Sequence, residues 1–406
     1  MEVGTHMKIN IILIILLISS LAVSNKSFAE DNPNIQSEAA ILIDSKTGEV
    51  LYKKNAQDKM YPASLTKIAT AIYALEKGNM NDMVTVSKRA REVEGTRVYL
   101  EDGEKVPLRK LVQGLLINSG NDAGVAIAEH LDGSVESFAT NLNDYLGRLG
   151  LKNTHFENPH GLFSPDHVTT AKDLAILTQY AMKNEDFREV FGTKELEWKG
   201  LSWETTLYTH HKLMREQPYE GVTGGKTGYV DQSGQTLITT AEKNDLSLIV
   251  VTLSAPTQQI IYRDTIELLD FGFDHYQTSL VPKGTFSLND QQFLLTKDFY
   301  FTQALKENVT TKMNENGILE VINQNQEVIA STQLEGVRNK KSNSNKKEKI
   351  TVKKNDSKFL TGRYVNTLLF ILFFAFIVLF TRAIVRQKRG RKFKRKQIGV
   401  ERKGIG

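Results

Sequence analysis

Three short strings of polar residues, set far apart along the chain, constrain its fold more than any other feature. They are SLTK at 64–67, SGN at 119–121 and KTG at 226–228. The first offers a hydroxyl and an amine one helical turn apart, the second adds a hydroxyl and an amide, and the third adds a cation. If the strings form one site, the fold must bring three distant segments together.

The first string suits nucleophilic catalysis. Ser64 and Lys67 are three residues apart, so on a helix they share one face. A serine hydroxyl is a weak nucleophile that needs a base, and Lys67 can act as that base only if its amine is neutral. Burial and a nearby cation both lower a lysine pKa, and Lys226 is the candidate cation. Taken alone, the string fits a capped helix with a surface lysine better.

The second string has a structural and a functional interpretation. Ser119 or Asn121 could cap a helix that begins near Ala123, because short polar side chains are preferred at that position. In the functional interpretation, Ser119 relays a proton and Asn121 contacts a substrate carbonyl. Both interpretations can hold, since a loop at a helix end is a place where such groups converge.

The third string lies in a segment unusually rich in glycine, residues 221–229. Glycines weaken a strand that serves stability alone, but they leave a strand edge open to a ligand backbone. Lys226 and Thr227 would then hold a substrate carboxylate. A glycine-rich hairpin turn is the alternative.

Hydrophobic patterning predicts an α+β fold. The predicted strands are 40–44, 49–52, 236–241 and 246–253, and the predicted helices are 64–78, several within 107–150, 171–183 and 257–273. Strands at both ends with helices between them predict one sheet that packs against a helical lobe. Short strand-like runs at 284–288, 292–295 and 317–322 predict a small β domain after it.

Charge is distributed unevenly along the chain. The total is +5, but residues 338–358 carry +7 and residues 387–406 carry +8, so the remaining residues have a net charge of −10. An acidic body lacks the basic stripe of a nucleic-acid-binding domain, so no nucleic-acid partner is expected. The chain has no cysteine, which excludes disulfides, thiol catalysis and cysteine-based metal sites.

Both ends of the chain carry targeting patterns. After Lys8, a mostly apolar run at 9–23 and small residues at 27–29 are typical of a cleaved signal peptide. An uncleaved anchor is the alternative, but the run is short for a membrane span. A second mostly apolar run at 365–380 precedes dense Lys and Arg at 388–396, which predicts a transmembrane helix with a cytoplasmic tail.

The order and context of the three strings resemble the low-molecular-mass penicillin-binding proteins, the serine D-alanyl-D-alanine carboxypeptidases. YPASLTK at 61–67 is similar to the active-site helix of that family, and NSGNDA at 118–123 to its second motif. Gly120 departs from the Asp of the usual second motif. NTHF at 153–156 and PHGL at 159–162 resemble a further family segment.

The resemblance covers residues 35–275 and implies a β-lactamase/transpeptidase-like fold and acyl transfer without a metal or cofactor. Ser64 would attack the bond between two terminal D-alanines of a peptidoglycan stem peptide, assisted by Lys67, and β-lactams would acylate the same serine. Backbone N–H groups of Ser64 and Tyr229 would form the oxyanion hole. The expected catalytic residues are Ser64, Lys67, Ser119 and Asn121, and the expected substrate-binding residues are Lys226, Thr227, Gly228 and Tyr229.

Six segments follow from these patterns. They are a signal peptide (1–29), a serine D,D-peptidase catalytic domain (30–276), a small β domain (277–337), a basic stalk (338–363), a transmembrane helix (364–386) and a basic cytoplasmic tail (387–406). We therefore expect a single-pass protein of the cell membrane, held by its C-terminal helix, with the catalytic domain on the extracellular face.

Two other functions remain open at this point. A β-lactamase would use the same groups with fast deacylation, but no E-x-x-L-N string lies between the second and third motifs. A wall-binding or penicillin-sensing membrane protein would bind without turnover. Histidines do not favour a metal site: His210 and His211, which depart from the family asparagines, would point oppositely on a strand, and His155 and His160 read as loop or packing residues.

Overall fold

A five-stranded antiparallel sheet forms the centre of the computed structural model, which describes residues 32–289 and 291–337. The strands of the N-terminal part are β1 (Ala39–Asp44), β2 (Val50–Lys54), β3 (Met83–Thr85), β4 (Lys105–Pro107), β5 (Glu195–Lys199), β6 (Glu204–Tyr208), β7 (Val222–Val230), β8 (Gly234–Lys243) and β9 (Leu246–Ala255). The central sheet has the order β2-β1-β9-β8-β7, while β3 pairs with β4 and β5 with β6. The order confirms that strands from both ends of this part form one sheet.

Both faces of the central sheet are covered, which explains why β1 is apolar almost throughout. Every residue of β1 is buried. Ile41 and Ile43 join one hydrophobic core and Leu42 joins another, because successive side chains of a strand point to opposite faces. The sheet therefore separates two cores, as the continuous apolar run predicts for a strand covered on both sides.

Helices between β2 and β7 form the predicted lobe on one face, and a last helix covers the other. The helices are α1 (Thr66–Lys77), α2 (Lys88–Glu92), α3 (Leu108–Ile117), α4 (Asn121–Asp132), α5 (Val135–Arg148), α6 (Ala171–Ala181), α7 (Glu185–Phe191) and α8 (Gln258–His275). Thr170 and Thr257 cap α6 and α8 by accepting backbone N–H bonds, so these helices begin where a local signal exists. Strands β3 to β6 lie outside the predicted runs, and β3 and β4, with three residues each, are too short to show a periodic pattern.

The small β domain is built from strands that surround their own hydrophobic core. Its strands are β10 (Tyr276–Val281), β11 (Gly284–Leu288), β12 (Gln291–Leu295), β13 (Phe299–Ala304), β14 (Thr310–Met313), β15 (Ile318–Ile322), β16 (Val328–Gln333) and β17 (Glu335–Val337). They form the sheets β10-β13, β11-β12-β17 and β14-β15-β16. Phe293, Phe301 and Val321 lie in the core between them. Three of these strands match the predicted runs.

A buried carboxylate joins this small domain to the central sheet within one compact unit of the chain. Asp44, at the end of β1, accepts hydrogen bonds from Thr278 Oγ1 (2.7 Å) and Thr302 Oγ1 (2.8 Å). Thr47 Oγ1 also lies 2.6 Å from Thr302 Oγ1. Hydrogen bonds to a charged group contribute more than neutral ones, so this cluster fixes the contact between the two parts.

The predicted signal peptide (1–29) and the predicted stalk, span and tail (338–406) lie outside the described residues. Among the residues that are described, no helix has both the length and the apolar character needed to cross a membrane.

Candidate active site

A short turn presents Ser64 at the entrance to helix α1. The chain makes one turn of 3₁₀-helix at Ala63–Leu65 before α1 begins at Thr66. Ala63 has φ +48°, a conformation that residues with a Cβ rarely adopt. The turn leaves Ser64 partly exposed, while Lys67, one turn further along the helix, is completely buried. The spacing that the sequence predicted therefore places a hydroxyl at the surface and an amine beneath it.

Lys67 lies within reach of the hydroxyl that it would deprotonate. Its Nζ is 2.8 Å from Ser64 Oγ and donates to the carbonyl oxygen of His160 at 2.7 Å. Burial, and then the charge of Lys226, lower the pKa of Lys67 well below its usual value, against an opposing influence of Asp122. The lowered pKa favours the neutral amine, whose lone pair can accept the Ser64 proton.

Lys226 is a second buried lysine of the site. Burial lowers the pKa of Lys226 to about 7. At neutral pH Lys226 is thus close to half protonated, and the pKa of its neighbour Lys67 is lowered as well. Two lysines with lowered pKa values in one site are typical of catalytic sites.

The PHGL segment at 159–162, which resembles a further family segment, packs against Lys67. Beyond the His160 carbonyl, Pro159 O accepts from Thr70 Oγ1 at 2.6 Å. Gly161 has φ +88°, and a Cβ at this position would overlap the carbonyl oxygen of Ala63. The segment therefore packs directly under the Ser64 turn. The sequence marked the segment as a family feature, but it carried no sign that a backbone carbonyl would hold Lys67.

The second string lies opposite, with both of its predicted side chains buried. Ser119 has φ +63°, and its Oγ accepts from Lys226 Nζ at 3.1 Å. Asn121 Nδ2 donates to Glu94 O at 2.6 Å. Helix α4 begins at Asn121 with Gly120 at the capping position and no side-chain capping bond, so the capping interpretation of this string is wrong.

Asp122, which sequence reasoning missed, holds the loop beside this string. Its buried carboxylate accepts backbone N–H bonds from Val98 (3.0 Å), Leu100 (3.1 Å) and Ala123 (2.9 Å). Burial raises the pKa of Asp122, and these three bonds oppose the rise. The carboxylate connects the loop between α2 and β4 to the start of α4. The only sign in the sequence was an acidic residue directly before the apolar run 123–128.

The third string runs along β7, at the edge of the central sheet. A Cβ on Gly228 would lie 2.9 Å from Ser64 N and would overlap Thr236 Oγ1, so only glycine lets the strand pass this close to the nucleophile. Lys226 Nζ donates to Thr227 O at 2.9 Å. Tyr229 follows with its side chain 57 % exposed. The strand edge can therefore accept an extended peptide beside Ser64, in the manner of an added strand.

The histidines of the site are structural. His210 and His211 follow the end of β6 and precede a 3₁₀ turn at Lys212–Met214, so their predicted placement on a strand is wrong. His211 Nε2 lies 2.7 Å from Thr239 Oγ1, and burial lowers the pKa of His211 to about 3. Within residues 32–289 and 291–337, no cluster of three or more His, Asp or Glu could hold a metal ion.

Ser64 lies beside the edge strand β7 and lines neither of two cavities in the described part of the chain. One cavity of about 770 Å³ lies behind His160 and Leu162, and another of about 650 Å³ lies beside α8, lined by Tyr262 and Arg263. An edge strand beside the nucleophile suits a peptide substrate that must reach the site with a long chain still attached.

The comparisons with known proteins agree with this geometry. A model of the D-alanyl-D-alanine carboxypeptidase family matches residues 26–257. The chain is 36% identical over 249 residues to D-alanyl-D-alanine carboxypeptidase DacF of Bacillus subtilis, covering 60% of this chain and 64% of that protein. It is 34% identical over 276 residues to D-alanyl-D-alanine carboxypeptidase DacC of Escherichia coli, covering 63% and 66%. The matched segment thus spans slightly under two thirds of these curated relatives.

The fold comparison extends beyond the sequence match. Penicillin binding protein 5 from Haemophilus influenzae superposes with a TM-score of 0.68 and 26% identity, covering 75% of this chain and 97% of that structure. The coverage is wider than that of the family model, which ends at residue 257 before the small β domain. The family model spans more than half of the chain, and the three motif strings meet at one site. The chain therefore belongs to the D-alanyl-D-alanine carboxypeptidase family.

Proposed function

We propose that this protein removes the terminal D-alanine from peptidoglycan stem peptides through a Ser64 acyl-enzyme, and that β-lactams acylate the same serine. One observation carries the proposal: the buried amine of Lys67, whose pKa is lowered well below its usual value, lies 2.8 Å from Ser64 Oγ. Both groups needed to activate a serine are present at the strand edge where a peptide can bind.

Acylation begins with proton transfer from Ser64 Oγ to Lys67 Nζ as the oxygen attacks the carbonyl carbon of the penultimate D-alanine. The carbonyl oxygen gains the negative charge, which the backbone N–H groups of Ser64 and Tyr229 stabilise. Such donors are each worth about 10²–10³ in rate. Lys226 and Thr227 hold the terminal carboxylate.

Breakdown of the tetrahedral intermediate breaks the peptide bond and needs a proton on the leaving nitrogen. Ser119 Oγ supplies this proton and regains one from Lys226 Nζ, 3.1 Å away. Free D-alanine leaves, and water then attacks the ester carbonyl. The proton released by the water passes through Ser119 back to Lys226, and Lys67 returns its proton to Ser64 Oγ as the shortened peptide leaves. Asn121 orients the amide carbonyl of the donor peptide.

The direct test measures D-alanine released from a peptide that ends in D-Ala-D-Ala, using the full-length protein and its Ser64→Ala variant. We expect release by the parent and at least a ~10³-fold loss in the variant, because the attacking oxygen is gone. Undiminished release by the variant would contradict the assignment of the nucleophile. Stable labelling by a fluorescent penicillin without peptide cleavage would favour a sensing protein, and rapid penicillin turnover would favour a β-lactamase.

The location of the protein is part of the proposal. The apolar runs and the basic tail in the sequence support an extracellular catalytic domain anchored by a C-terminal span. We expect the full chain in the membrane fraction and a chain ending at Lys358 in the soluble exported fraction. Retention of the shortened chain in the membrane after signal cleavage would contradict the C-terminal anchor.

A further inference from the structure

The peptide unit between Ala63 and Ser64 is held in an uncommon conformation. Ala63 is 1 % exposed and has φ +48°. Such conformations persist only where the surroundings impose them, and they occur often at functional sites. The N–H of this peptide unit belongs to Ser64, the expected oxyanion donor beside Gly228. Its C=O belongs to Ala63 and points into the protein.

That inward carbonyl accepts two hydrogen bonds from one residue. Thr66 donates its backbone N–H and, at 2.9 Å, its Oγ1 hydrogen to Ala63 O. Hydrogen bonds to a carbonyl polarise the peptide unit and strengthen its N–H as a donor, because hydrogen bonds in a chain reinforce one another. The Thr66 hydroxyl thus bonds the carbonyl on the inner side of the peptide unit. Through that bond it strengthens the Ser64 N–H on the outer side, where the oxyanion forms.

His167 determines the direction in which the Thr66 hydroxyl points. Its Nδ1 accepts from the Glu157 backbone N–H at 3.0 Å, so the ring hydrogen lies on Nε2. Nε2 lies 2.8 Å from Thr66 Oγ1 and therefore donates to it. The hydroxyl has a single hydrogen, which this contact leaves free for Ala63 O.

The surroundings of His167 favour this single tautomer. The ring is 2 % exposed and stacks on Phe156, with 4.8 Å between ring centroids and 16° between ring planes. Burial lowers the pKa of His167 to about 3. A charged ring would carry hydrogens on both nitrogens and would lose the bond from Glu157, so the neutral ring is the form that the contacts require.

We infer that His167 is a positioning residue for the oxyanion hole, acting through Thr66 on the Ala63–Ser64 peptide. The relay runs from His167 Nε2–H to Thr66 Oγ1–H to Ala63 O and orients the Ser64 N–H toward the developing oxyanion. The inference rests on the proposed acyl-enzyme function, because the relay ends at a group that only that chemistry uses. His167 itself touches neither substrate nor the reacting atoms.

The test compares Thr66→Val, His167→Phe and their double variant in the full-length protein. Val keeps the shape of Thr without the hydroxyl, and Phe keeps an aromatic ring without nitrogens. We expect each single variant to acylate about tenfold more slowly with a fluorescent penicillin, less than the ~10²–10³ lost with a whole oxyanion donor. The double variant should be no slower than either single one, because both break the same relay.

Three controls separate positioning from general structure. Thr178→Val removes an equally buried hydroxyl that donates to Leu174 O, remote from Ser64, and should acylate at the parental rate. His167→Gln and Thr66→Ser keep the donors and should recover most of the lost rate. With peptide substrate, the loss should appear in kcat with KM nearly unchanged, because the oxyanion contact develops in the transition state.

Parental acylation rates in folded Thr66→Val and His167→Phe proteins would overturn the inference, and so would multiplied losses in the double variant. If Thr66→Val fails to fold, the acylation rates of His167→Gln and His167→Phe test the relay instead, since only Gln keeps a hydrogen-bond donor. Equal rates in these two variants would overturn the inference. A parent that is acylated but releases no D-alanine refutes the carboxypeptidase function alone, and acylation rates still test the relay. A parent that is never acylated overturns both.

Discussion

The site and the small β domain hold residues in the same left-handed conformation, but for different reasons. In the β domain, Asn289, Lys306 and Gln326 have positive φ at exposed positions between strands. At the site, Ala63 and Ser119 have positive φ although both are buried. A turn residue adopts this conformation because the chain must reverse, whereas the buried pair is held there by contacts with distant segments.

The site and the small β domain also differ in the ionisable groups that they bury. The site buries Lys67, Asp122 and Lys226, while the polar residues buried in the β domain are the neutral Thr302, Gln303 and Asn323. Burying an ionisable group opposes folding unless its pKa shifts or partners compensate. The difference indicates that stability was lost at the site in favour of chemistry. Replacing one of these buried ionisable groups by an apolar side chain should therefore lower activity without lowering stability.

Lys67→Met tests this opposition with the largest expected effect. Met fills similar volume without an amine, so D-alanine release should fall by about 10²–10⁴, the usual contribution of a general base. The free energy of unfolding should be unchanged or higher, because a buried amine is replaced by an apolar chain. Thermal unfolding and single-turnover acylation measure the two quantities. A loss of stability together with activity would contradict the comparison.

Gly161→Ala should lower acylation by about 10²-fold, because its Cβ overlaps Ala63 O and shifts the Ser64 turn. The positive φ alone costs about 1–2 kcal/mol. Gly133→Ala is the matched control, since Gly133 has φ +81° and open space around it. The control should lose stability but keep its acylation rate. Equal acylation by both variants would show that the contact with Ala63 has no role in the site.

The pKa of Lys226 predicts a specific pH dependence of stability. Burial lowers this pKa from 10.5 to about 7, so between these values the unfolded chain binds a proton that the folded chain lacks. The free energy of unfolding of the parent should therefore rise with pH across this window relative to Lys226→Met, by up to about 1.4 kcal/mol per pH unit. Below pH 7 the difference should be constant. Denaturant unfolding at several pH values measures it, and parallel curves from pH 7 to 10 would contradict the shift.

Gln326→Gly is expected to have the smallest effect on stability, and it tests the comparison at an exposed turn of the small β domain. Glycine adopts positive φ without strain, so this exposed turn should gain up to about 1 kcal/mol. D-alanine release should not change, because no site residue contacts the turn between β15 and β16. A change in release larger than twofold would show that the β domain influences the site.

Much of the site could be predicted because its parts are local. The one-turn spacing of Ser64 and Lys67, and the glycines that open β7, follow directly from backbone geometry. The pKa effect of Lys226 on Lys67 was also predicted, since only one other motif offered a cation. The carbonyl of His160 and the carboxylate of Asp122 were missed, because a backbone atom has no signature in sequence and a lone Asp has many uses.

His167 shows most clearly where sequence reasoning ends. It lies 101 residues from Thr66, outside every motif string, and only the hydrogen bond from Glu157 reveals which ring nitrogen carries the hydrogen. The strand placement of His210 and His211 failed for a related reason. A short segment without a periodic pattern takes its conformation from its neighbours in space.

The sequence by itself determined the identity and order of the reactive groups, the helical register of Ser64 and Lys67, and the apolar character of both faces of β1. These depend on the repeat of a helix or strand, which acts over a few residues. Only the tertiary structure decided that the pKa of Lys67 is lowered, that Ala63 is held at positive φ and that His167 reaches Thr66. Desolvation and hydrogen-bond direction depend on which distant segments pack around a group, and local spacing carries no information about that packing.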